Sequence, residues 1–74
     1  MRWECRYSSC EMLYLDVQSD HVRCFLDHSE SRPDRWTFAE ILAGDQDSYI
    51  KNLFGESALL EIKREVQHRA AAQR

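Results

Sequence analysis

Residues 2–8 alternate in polarity, with Trp3, Cys5 and Tyr7 on one side and Arg2, Glu4 and Arg6 on the other. A period of two is the pattern of a half-buried strand. Ser8, Ser9, Cys10 and Glu11 read as a polar turn, after which residues 12–18 alternate again with Leu13, Leu15 and Val17 in phase. Ser19 and Asp20 give the next turn signal, and residues 21–27 place Val22, Cys24 and Leu26 on one face. Three short strands joined by short polar turns predict an antiparallel meander.

The period changes across residues 28–35, a polar connector that carries the only proline, Pro33. Thr37 followed three residues later by Glu40 is a capping box: the hydroxyl accepts from a first-turn N–H and the carboxylate reaches back. Phe38, Ile41 and Leu42 supply the apolar stripe, and Gly44 stands where a left-handed stop belongs, which predicts a helix over 37–43. A second helix is expected over 46–54, capped by Asp45 or Asp47 and stopped by Gly55, with Tyr49, Ile50, Leu53 and Phe54 as its apolar set. A third is expected over 57–72, where Leu59, Ile62 and Val66 recur at helical spacing. Beyond Val66 the sequence favours helix but lacks a strong apolar anchor, so that end frays or docks on another surface. The fold class is therefore a single small α+β domain over residues 1–74. A three-stranded antiparallel meander leads, and two or three C-terminal helices pack on one face of it.

Composition narrows the class. The chain has 74 residues, 43% of them hydrophobic, with two Gly, one Pro and three Cys. It is too apolar for a disordered chain and too poor in Gly, Pro and Cys for a collagen-like or disulfide-dense scaffold. Thirteen acidic residues against ten Lys and Arg give a net charge of −3. No overall basic excess marks a general nucleic-acid binder. An odd cysteine count and an N-terminus without an apolar leader point to reduced thiols and a cytoplasmic protein. No window approaches the ~18 apolar residues of a membrane span. A core this small is often supplemented by a metal, a disulfide or a partner.

Chemical motifs are sparse. Cys5, Cys10, Cys24 and His28, with His21 as an alternative, would supply a zinc set, but the spacing departs from the usual paired knuckles and Cys5 and Cys24 share phase with core residues. His28, Ser29 and Glu30 form an H-x-E without the downstream P-C-x-x-C of zinc deaminases. Asp45 to Glu56 starts like a calcium loop, yet Ile50 stands where the sharp turn needs Gly. No Gly-rich segment builds a phosphate or oxyanion cradle. We therefore expect no enzymatic activity, no cofactor and no metal.

Two surfaces remain. On the sheet face opposite Leu13, Leu15 and Val17 lie Met12, Tyr14 and Phe25, rimmed by Arg2, Glu4, Arg6, Asp16, Arg23 and Asp27. Apolar and aromatic residues with an arginine rim are the make-up of a protein interface. Trp36, beside Arg35, is a further candidate anchor or else a staple ahead of the Thr37 cap. The last helix carries Lys63, Arg64, Arg69 and Arg74 against Glu61 and Glu65, an alternative site for weak nucleic-acid contact. The expectation is a protein-binding module of the bacterial or phage accessory, inhibitor or adaptor kind, forming a homodimer. Its contacts are expected at Met12, Tyr14, Arg23, Phe25 and Trp36.

Overall fold

The computed structural model describes residues 1–27 and 33–73. Its order is β1 (Arg2–Arg6), β2 (Met12–Val17), β3 (His21–Leu26), β4 (Asp34–Thr37), α1 (Phe38–Ala43), α2 (Asp47–Phe54) and α3 (Glu56–Ala72). The strands form one antiparallel sheet in the order β1-β2-β3-β4, each beside its neighbour in sequence.

The sheet has four strands where the sequence pattern implies three. The additional strand, β4, pairs Trp36 with Val22 and Arg35 with Arg23. Its four residues contain a single apolar position, Trp36, so no alternation exists to reveal it. Residues 34 and 35, expected in the connector, are strand; residues 28–32 lie outside the described residues. β1 ends at Arg6 rather than at residue 8, because the N–H groups of Tyr7 and Ser8 both donate to the Glu11 carbonyl, at 3.0 and 3.2 Å, and close the turn.

Thr37 ends β4 and caps α1. Its hydroxyl accepts from the Glu40 N–H at 3.1 Å, and the Glu40 carboxylate accepts in return from the Thr37 backbone. Gly44, at φ 89°, closes the helix: its N–H donates to the Ile41 carbonyl and the Asp45 N–H to the Glu40 carbonyl, both at 3.2 Å. This paired closure is a Schellman motif. It takes up Asp45, one of the two residues expected to cap α2, and Gln46 takes the cap position without a side-chain bond. Asp47 sits instead in the first turn, where the Lys63 ammonium donates to its two carboxylate oxygens at 3.1 and 3.0 Å. Gly55, at φ 97°, serves both helices, donating to the Lys51 carbonyl at 3.0 Å and accepting from the Leu59 N–H at 3.1 Å.

The helices cover one face of the sheet. Between the layers are buried Leu13, Leu15, Val17, Val22, Cys24 and Trp36 from the strands, and Phe38, Ile41, Ile50, Leu59, Ile62 and Val66 from the helices. No charged or polar residue is buried among the described residues. The end of α3 docks rather than frays. Ala70 packs on the core, the Arg69 guanidinium donates to the Gln18 carbonyl at 3.2 Å, and the Gln73 amide donates to the Ser19 carbonyl. A C-terminal stretch without large apolar residues is thus held by polar contacts to the β2–β3 turn. Among the described residues no helix is long and apolar enough to cross a membrane.

Candidate functional site on the open sheet face

The period of two that buries Leu13, Leu15, Val22 and Cys24 turns their neighbours to the uncovered face. Strand register arranges these into rows. One row runs Arg2, Asp16, Arg23, Arg35 across all four strands, and the next runs Glu4, Tyr14, Phe25. Arg6 and Met12 are paired beyond them. Four arginines therefore stand on one face of a chain that is acidic overall.

Tyr14 and Phe25, directly opposite on the two central strands, have ring centroids 5.5 Å apart with planes tilted by 30°. The Arg2 guanidinium lies over both, 5.1 Å from the Tyr14 centroid and 5.8 Å from that of Phe25. Arg23 lies 5.0 Å from the Phe25 centroid. A guanidinium group over an aromatic ring gains quadrupole attraction, and its fork of N–H donors suits carboxylates. Asp16, between Arg2 and Arg23 in register, accepts from the Gln18 amide at 2.5 Å and lies 3.7 Å from the N-terminal ammonium. At the far end of the ladder the Met12 N–H donates to the Asp27 carboxylate at 3.1 Å.

Arg23 and Arg35 are directly opposite in register on β3 and β4. Like charges in directly opposite positions destabilise a sheet. With Gln18, His21 and Pro33 they line an open groove of about 390 Å³. Asp20 partly offsets this charge: its carboxylate lies 2.6 Å from His21 Nδ1, and that bond, aided by Arg35, holds it below the usual carboxylate range.

Met12, Tyr14, Arg23 and Phe25 are therefore brought together as expected, half-buried and facing outward. Trp36 is not with them. It lies on the core side, 8% exposed, edge-on to Tyr49 with centroids 5.8 Å apart. With Ile41, also in the core, it occupies the flanking positions of a hydrophobic staple around the Thr37 cap. Arg35, read beside Trp36 in the sequence, points to the opposite face because consecutive strand residues do so. The Arg23–Arg35 groove escapes the sequence because it depends on β4.

The three thiols lie apart. Cys5 is on β1 and Cys24 on β3, with β2 between them, while Cys10 is exposed in the β1–β2 turn. Among the described residues no group of three His, Cys, Asp or Glu side chains is placed to hold a metal; His28 lies outside them. Burial pushes the Cys24 thiol up to about 12, with Asp34 and Cys5 adding to the shift and a hydrogen bond to Tyr49 opposing it. Burial also raises Cys5 and Tyr49. None of these is an activated nucleophile. On α3, Lys63 is engaged with Asp47, and Arg69 with Glu65 at 2.8 Å, so two of the helix's cations serve the fold.

No protein-family model, curated protein or solved structure matches the chain.

Proposed function

We propose that this chain is a small non-enzymatic binding module whose open sheet face holds an acidic surface of a larger protein. The observation that carries the reading is the Tyr14–Phe25 pair layered beneath the Arg2 and Arg23 guanidinium groups. Aromatic area with pre-positioned arginines is the composition of interface hot spots, and carboxylates are the groups that arginine forks bind bidentately. The like-charged Arg23–Arg35 pair gains from an acidic partner. Action as an accessory factor, inhibitor or adaptor in the cytoplasm fits this reading, and the three free thiols suit a reducing compartment. A homodimer supplements the small core.

The test compares proteins captured by the wild type with those captured by a Tyr14→Ser, Phe25→Ser double variant and by Arg23→Glu, all checked for folding by circular dichroism. Partners lost from both variants, and enriched in acidic surface, support the proposal. Identical capture by all three proteins overturns it. Salt-steep binding of single-stranded oligonucleotides through the same rings would replace the protein partner with a nucleic acid.

A further inference from the structure

Strand β1 is an edge of the sheet, and its main chain faces outward in a defined phase. The Val17 N–H donates to the Met1 carbonyl and the Tyr7 N–H to the Glu11 carbonyl, each at 3.0 Å. Odd-numbered residues of β1 thus spend their main-chain groups on β2. Those of Arg2, Glu4 and Arg6 point away from it, and among the described residues no strand pairs with them. Exposed edges recruit other strands unless charged side chains, proline, bulges or short length guard them. Here the outward-bonding residues alternate in sign.

We propose that β1 pairs antiparallel with β1 of a second copy across a two-fold axis at Cys5, joining two sheets into one of eight strands. The proposal rests on the homodimer reading above, not on the open-face partner. Charge selects the register. An axis at Glu4 sets Glu4 against the partner subunit's Glu4, Arg2 against the partner subunit's Arg6 and Arg6 against the partner subunit's Arg2, three like-charge contacts. An axis at Cys5 sets Glu4 against the partner subunit's Arg6, and Arg6 against the partner subunit's Glu4. These are the residues with outward main-chain groups, so each pair also exchanges both backbone hydrogen bonds. An axis at Trp3 is charge-compatible too, but it overlaps fewer residues and leaves Tyr7 unmatched.

The helix-side face agrees with this choice. Tyr7 is 52% exposed, and Trp3 is half-buried with its indole donating to Glu61 at 3.0 Å. An axis at Cys5 brings Trp3 opposite the partner subunit's Tyr7, an aromatic cross-strand pair formed twice. Cys5 meets the partner subunit's Cys5 in a non-hydrogen-bonded pair, where Cα atoms approach to about 4.5 Å. A disulfide can span that distance.

Sedimentation of four proteins tests this: wild type, Glu4→Arg, Arg6→Glu and the double exchange. A dimeric wild type, a dimer dissociation constant raised tenfold or more in each single variant, and recovery in the double exchange are expected. A dimer unaffected by either single change overturns the β1 edge while leaving a homodimer through another surface. A monomeric wild type overturns both, and the open-face reading keeps its own test. In a Cys10→Ala background, diamide, which takes up two protons and two electrons, should cross-link the copies through Cys5. A dimer that stays uncross-linked overturns the register.

Discussion

Trp36 on β4 meets Tyr49 on α2 nearly edge-on, with ring planes at 78° and centroids 5.8 Å apart. The contact ties the edge strand farthest from β1 to the helical layer, and Trp36 is buried against Val22 in register. Replacing a buried Trp by Ala typically costs about 3–5 kcal/mol. Trp36→Ala should therefore lose much of the domain's stability in urea titration. Preserved stability with lost partner capture would instead mark Trp36 as a contact residue.

Gly44 and Gly55 should both resist substitution, for different reasons. An added Cβ at Gly44 would lie 3.3 Å from the Asp47 carboxylate that Lys63 holds, at φ 89°. Gly55 has open space around it but sits at φ 97°, ψ 162°, a region essentially confined to glycine. Each Gly→Ala change is expected to cost about 1–3 kcal/mol. Denaturant midpoints measure it, and a neutral Gly55→Ala would contradict the conformational argument.

Cys24 gives the fold an alkaline limit. In the unfolded chain its thiol ionises near its ordinary value of 9.0, whereas burial keeps it protonated in the fold up to about 12. The folded pKa is raised, so the contribution is whole below pH 9 and is lost as pH climbs from about 9 to 12. Stability measured across that window should fall, and Cys24→Ala should flatten the slope while lowering the plateau. Maleimide labelling should proceed at exposed Cys10 first and reach Cys24 only with unfolding.

Arg69 should matter locally. It is paired with Glu65, holding that carboxylate below its usual range, and donates to the Gln18 carbonyl. Arg69→Met removes both contacts at partly exposed sites, where a single pair contributes about 1 kcal/mol or less. Faster amide exchange over residues 69–73 with a nearly unchanged denaturation midpoint is expected. Unaltered exchange there would mean that Gln73 and Ala70 suffice to hold the helix end.

The elements whose residues repeat a period were legible in the sequence. Leu13, Leu15 and Val17, or Leu59, Ile62 and Val66, declare a face through several turns of the pattern, and the Thr37–Glu40 box declares a start. β4 was not legible, because one apolar residue in four makes no period. That single omission carried two others with it. Trp36 stays open in the sequence between a surface anchor and a staple ahead of Thr37, and the opposition of Arg23 and Arg35 stays hidden, since register exists only once both strands do. The α2 cap is not legible for a related reason: Asp45 and Asp47 each suit a cap, yet the Schellman closure of α1 takes Asp45 and the first turn of α2 takes Asp47. Met12, Tyr14 and Phe25 are legible on the open face because they alternate with the core residues of β2 and β3.

The meander sets the order in which the molecule assembles. Each strand bonds only to its sequence neighbours, so the β1–β2 and β2–β3 ladders close loops of a few residues at small entropic cost. Hairpins of this kind form in about 1–10 μs, well before distant contacts are sampled. The long-range events are expected to be the slow ones: α3 descending on the finished sheet, and Arg69 and Gln73 finding the β2–β3 turn more than fifty residues away. Mutations in the turns should then act on the folding rate, and mutations in the α3 contacts on the rate of unfolding.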